Sequence, residues 1–189
     1  ITRNHIRTTF FTLCTLLATL FGTSAKVQTA TLVAQSNNGG VTDHYVTPKR
    51  IVWISDSTGR FVRHADRLIL PFWGQVSVAD TAYTVMQSTA THKAGVLVDF
   101  GRELHGALEI ASAIRPEHAP VRLRVRLGES VTEALSADGE KRGATNDHAM
   151  RDFILPAPWL GNTQTGNTGF RFAYIEVEDT AVRYNLRAV

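Results

Sequence analysis

The 189-residue chain is 43% hydrophobic and 20% charged, with 20 Lys and Arg against 17 Asp and Glu, a formal net charge of +3 and a pI near 9.3. That is enough chain for one ordinary domain with a sizeable core and a short extra segment, and the composition is that of a globular protein. The basic excess is too small to steer nucleic acid: once Arg3 and Arg7 leave with a leader, 18 basic residues face 17 acids, a net charge of about +1.

Residues 1–25 read as a secretory signal peptide. Arg3, His5 and Arg7 precede an apolar run at 10–22 that is broken only by Thr12, Thr15 and Thr19, and Thr23, Ser24 and Ala25 supply small residues for cleavage. The run falls short of the ~20 residues that a membrane-spanning helix needs. Cys14, the sole cysteine, lies inside it behind Leu13 rather than a small residue, so lipidation is not expected. The processed chain then has no thiol for a disulfide or a Cys-ligated zinc. The expected location is secreted or periplasmic, with no membrane attachment after cleavage.

Residues 26–47 are polar, with Ser36, Asn37, Asn38, Gly39 and Gly40 at their centre, and read as a linker. From Pro48 the pattern becomes globular. Residues 51–54 read as a strand, 56–59 as a turn cluster, 68–70 as a short apolar run closed by Pro71, and 83–86 as a further strand. The strongest stretch is 96–106. An apolar run ends in Asp99-Phe100-Gly101, three long or polar residues follow, and His105-Gly106 reopens into Leu108 and Ile110. This predicts a buried strand, a connection punctuated by two glycines, and a second strand.

Residues 121–127 alternate without error. Val121, Leu123, Val125 and Leu127 face one way and Arg122, Arg124 and Arg126 the other, as in an antiparallel sheet with one wet face. The arginine row reads as a solvated face balanced by Glu109, Glu129 and Glu133, with an anion or nucleic-acid patch as the functional alternative. Ser130 followed by Glu133 predicts a capping box and a short helix to about residue 137, ended by Asp138-Gly139. Residues 140–150 read as a long loop, 153–155 as a short strand and 163–168 as another loop. Residues 169–178 form a strong strand pattern whose apolar phase slips near 173–175, through a bulge or burial on both faces. Residues 182–187 alternate again. The whole predicts an all-β fold, an antiparallel jelly-roll-like β-sandwich with one short helix, over residues 48–189.

Phosphate loops, dinucleotide fingerprints, the His-Glu-x-x-His motif and Gly-x-Ser-x-Gly are absent from the sequence. Acids are present, but a glycosidase needs two of them about 5–9 Å apart across a cleft. Asp99 ends an apolar strand, where a carboxylate can tie down loop amides, and reads as structural. His105 reads as a packed, hydrogen-bonded histidine. Asn146 and Asp147, with His148 and Asp152 nearby, form either a polar turn or a set of oxygen ligands for Ca²⁺ or a sugar diol. Trp159, behind Pro156 and Pro158, is either a sugar-stacking platform or a hydrophobic plug beneath the loops.

Four pieces in order resemble the N-terminal β-sandwich of bacterial α-L-rhamnosidases, glycoside hydrolase family 78. Asp99-Phe-Gly-Arg-Glu-Leu-His-Gly106 is similar to that family's Asp-Phe-Gly-x-x-x-x-Gly signature. Residues 121–129 resemble its strand ending in Gly/Ala-Glu, residues 144–153 its polar loop leading to an Asp-x-Tyr strand, and Gly169-Phe-Arg-Phe172 its Gly-Phe-Arg-Tyr closing strand. The variant is most similar to the secreted enzymes of Bacteroides-like bacteria. The resemblance implies a parent enzyme that removes terminal α-L-rhamnose from plant polysaccharides or glycosides with inversion, its catalytic carboxylates in a following (α/α)6 toroid. No such helices precede Val189, so no catalytic residue carries over. The fragment is expected to be inactive alone and to pack on its own downstream catalytic domain. The expected ligand is an L-rhamnose-containing glycan, with Asn146, Asp147 and Trp159 as candidate contacts. No cofactor is expected other than Ca²⁺, which some sandwiches of that family use to bind rhamnose. A free-standing carbohydrate-binding module is the alternative.

Overall fold

In the computed structural model, residues 34–35, 42–72, 74–136 and 151–189 are described. They belong to the unit Val33–Val189. The expected signal peptide, Asn146 and Asp147 lie outside them.

A small ladder joins β1 (Ala34–Gln35) to β2 (Thr42–Asp43). The main sheet takes β3 (Arg50–Ile54), β4 (Val62–Arg63), β5 (Thr84–Gln87), β6 (Gly95–Ser112), β7 (Val121–Gly128), β8 (Arg151–Ala157), β9 (Gly161–Val177) and β10 (Arg183–Ala188). Its order is β4-β5-β10-β6-β9-β7-β8, with β3 also paired to β6, and every pairing is antiparallel. One short helix, α1 (Val131–Leu135), follows β7. The all-β antiparallel class with a single short α-helix is therefore what the alternation patterns specified. The strands nevertheless form one continuous hydrogen-bonded sheet, because β6 and β9 are long enough to pair with different neighbours at their two ends.

The apolar alternation explains the core. Val96, Val98 and Phe100 of β6, Val121, Leu123, Val125 and Leu127 of β7, and Ala173, Ile175 and Val177 of β9 pack into one buried cluster. The opposite face of β6 and β9 is also buried. Leu97, Phe172 and Tyr174 form a second cluster with Ala134 and Val131 of α1. That settles the phase slip near residue 174: register is unbroken from Phe172 to Glu176, and both faces are covered. Ser130 Oγ accepts from the Glu133 N–H and Glu133 Oε2 from the Ser130 N–H, closing the expected capping box, although the helix stops at Leu135. Gly128 permits that helix to approach: a Cβ there would lie 2.7 Å from Ala134 N.

Three sequence expectations change. Residues 96–110 are one strand rather than two joined by a connection. Three extra residues of β6 bulge out between the pairs Asp99↔Phe172 and Leu104↔Phe170. Gly101 takes φ 79° in that bulge, whereas Gly106 has no positive φ. Residues 163–168 are strand, not loop, because they pair with β6 from Gly106 to Ile110; Gly166 (φ 88°) and Asn167 (φ 126°) mark the second register shift. The run at 68–70 belongs mostly to a 3₁₀ turn, Ala65–Ile69, that buries Leu68.

Candidate functional site

The edge of β6 that faces away from β9 is interrupted. β3 pairs with it from Val96 to Asp99 and β10 at Ala111 and Ser112, while between these the strand has only β9 as a ladder partner among the described residues. A cleft of about 430 Å³ opens along this gap. Residues 44–47, which run into β3, contribute His44 and Tyr45; Phe72 comes from beyond the 3₁₀ turn; His105 and Glu109 come from β6 and Gln164 from β9. Buried Phe100 and Phe170, in edge-to-face contact at 5.5 Å, supply apolar lining. The volume lies in the range of small-molecule sites, and the lining combines aromatic surface with a few convergent polar groups.

Glu109 is held in place. Its Oε1 accepts from Asn162 Nδ2 and its Oε2 from Gln164 Nε2, both at 2.7 Å, and Asn162 Nδ2 also donates to the Gly74 carbonyl at 2.7 Å. A carboxylate offers about four acceptor positions, so each oxygen keeps one for a ligand hydroxyl. Phe72 is backed by the Arg187 guanidinium, 4.8 Å from its centroid, and that arginine donates to Asp80 at 3.0 Å.

The wall of the cleft is anchored by Asp99, which is fully buried. Its Oδ1 accepts from the Gly101 N–H at 2.7 Å and from Arg171 Nε at 2.9 Å; its Oδ2 accepts from Arg50 Nε at 2.8 Å. The Arg171 hydrogen bonds hold its carboxyl well below the usual carboxylate range against the opposing effect of burial, helped by Gly101 and Arg50. One side chain thus ties β3, β9 and the bulge together, which is the structural role expected of it.

His105 departs from expectation. It is exposed at the cleft rather than packed, because the bulge places it on the face opposite core-facing Leu104. The arginine row is partnered, but by other acids than those expected. Arg124 makes a double hydrogen bond to Asp152 across the β7–β8 register, Arg126 lies 3.4 Å from the same carboxylate and over the Tyr174 ring, and Arg122 pairs with Asp179. Arg126 is buried rather than solvated, since α1 covers it and the Leu135 carbonyl accepts from its Nη1.

Trp159 sits in the turn between β8 and β9, partly buried, its ring 4.4 Å from that of His118. It does not line the cleft, and with Asn146 and Asp147 outside the described residues no common site can be drawn for the three. Among the described residues no group of three or more His, Cys, Asp or Glu side chains is placed to hold a metal ion, and no helix is long and apolar enough to cross a membrane. Sequence reasoning missed Phe72, Tyr45 and Gln164, and it read Glu109 only as a balancing charge. Gln164 sits in a polar run that carries no strand signal of its own.

No family model and no curated protein matches this chain. Among solved structures, a rhamnosidase from Klebsiella oxytoca with rhamnose bound aligns at TM-score 0.41 and 21% identity, covering 53% of this chain and 20% of that one. Two fucose-binding modules from Streptococcus pneumoniae align at TM-scores 0.46 and 0.44, with 9% and 11% identity; they cover 76% and 75% of this chain and 91% and 85% of theirs. At TM-scores below 0.5 these likenesses do not decide function.

Proposed function

We propose that this chain carries an accessory carbohydrate-binding β-domain of a secreted α-L-rhamnosidase, and that it holds an L-rhamnose-containing glycan in the cleft along β6. The observation that carries the proposal is the oriented Glu109 carboxylate beside Phe72 and Tyr45 in an open cleft of about 430 Å³. Sugar rings present an apolar C–H face and a rim of hydroxyls. The first suits an aromatic ring, and the second suits a carboxylate with unused acceptor positions. The rhamnosidase assignment is supported by the ordered motifs from Asp99 to Phe172. The domain binds and positions glycan, and hydrolysis belongs to a separate catalytic domain of the parent enzyme.

Calorimetric titration of the purified chain with methyl α-L-rhamnoside, with and without Ca²⁺, tests the proposal. Saturable heat that disappears in Glu109→Ala is expected. A folded sample that gives no heat under either condition overturns it. Dependence on Ca²⁺ would assign a role to Asn146 and Asp147, the oxygen donors proposed for the ion.

A further inference from the structure

The charge pattern of the cleft narrows what it admits. Resting on the carbohydrate reading above, we infer that the cleft selects uncharged sugar residues and rejects sulfate esters and uronates. Among its described lining residues Glu109 is the only carboxylate side chain, and no Lys or Arg lines it. The nearby cation behind Phe72, Arg187, pairs through Nε with Asp80 at 3.0 Å; its Nη1 is buried without a hydrogen-bond partner, and Arg187 is not among the lining residues. Asn162 gives one N–H to Glu109 and one to the Gly74 carbonyl, and Gln164 gives one of its two N–H groups to Glu109, so these amides already point at an anion that belongs to the protein. What Glu109 keeps for a ligand is acceptor capacity. Hydroxyls can donate to it; a sulfate or carboxylate brings only further acceptors and a like charge. Specificity of this kind is set by repulsion of the wrong ligand as much as by attraction of the right one.

The test compares methyl α-L-rhamnoside with its monosulfate esters at pH 8 by calorimetry on the full chain. The esters are expected to bind at least about tenfold more weakly, the scale of a like charge a few ångströms away in a partly solvated site. Glu109→Gln keeps the shape and removes the charge, so the ratio between neutral and sulfated ligand should narrow at least about threefold. Raising the salt from 20 to 500 mM should narrow it in the unaltered protein as well, because screening weakens repulsion but not a steric clash. Equal affinity for neutral and sulfated ligand overturns the inference, as does a ratio insensitive to salt. Absence of heat with the neutral rhamnoside is a different failure, which removes the carbohydrate reading itself.

Discussion

The two ends of β6 are held by different means. At Gly95–Asp99 the strand has β3 on one side and β9 on the other, the main core below and α1 above, so that Val96, Leu97 and Val98 are all fully buried. At Leu104–Ile110 the ladder partner is residues 163–170, polar as far as Thr168, the far edge is open, and exposed side chains alternate with buried ones. The first end is fixed by burial on both faces. The second is fixed by backbone pairing with β9, which leaves side chains such as His105 and Glu109 available for a ligand. Asp99 sits at the junction, and the largest effect on this contrast should come from it.

Asp99→Ala removes the acceptor for Arg50, Arg171 and the Gly101 N–H together. Breaking a fully buried ion pair costs about 3–5 kcal/mol; since both arginines keep part of their side chains in water, about 2–3 kcal/mol is expected. That corresponds to a Tm lower by roughly 5–10 °C in thermal unfolding. Because the folded-state pKa of Asp99 is depressed, its contribution is present above the unfolded carboxylate range near about 4 and is lost as pH falls towards the folded value. The gap between the two proteins should therefore be full at pH 7 and shrink below about pH 4. A constant gap would mean that the carboxylate charge is not what joins the two ends.

Two substitutions probe the covered end alone. Gly128→Ala drives a methyl into Ala134 N at 2.7 Å and Ser130 O at 3.0 Å, both backbone atoms, so α1 must lift off the sheet. The expected loss is about 2 kcal/mol by denaturant unfolding, within the range for overpacking. Ser130→Ala removes one half of the capping box and should cost about 1 kcal/mol. If Gly128→Ala is silent, α1 does not pack as a lid over Leu97, Phe172 and Tyr174.

The same contrast explains how much the sequence alone reveals. Strands that carry their own apolar alternation, such as Val121–Gly128 and Arg183–Ala188, are legible because a side-chain period of two is written in them. The capping box is legible because it depends on residues three apart. Asn162–Thr168 has no such pattern; its strand state comes from the 14-pair ladder with β6, a long-range pairing that no local window contains. The cleft follows from that pairing and from the place where β3 stops and β10 begins, so its lining residues are scattered from His44 to Val189. Arg124 and Arg126 were legible as a row, yet their partner Asp152 is set by the register of β8 and not by nearness in sequence.

The smallest effect on stability and the largest on binding should fall at one residue. Glu109 lies on the open end of β6, half-buried, and its partners Asn162 and Gln164 are exposed side chains that water can satisfy. Glu109→Gln should therefore shift unfolding free energy by no more than about 0.5 kcal/mol, as surface changes commonly do. The carboxylate oxygen that accepts from Gln164 or Asn162 becomes an amide donor, so one of those hydrogen bonds is lost and the side chain no longer has two fixed acceptors to offer. Affinity for methyl α-L-rhamnoside should fall at least about tenfold, the loss of a charge-assisted hydrogen bond. Denaturant unfolding and titration on the same sample separate the two quantities. A matched loss in both would make Glu109 a structural link between β6 and β9, and the open end of the strand would then be held by side chains after all.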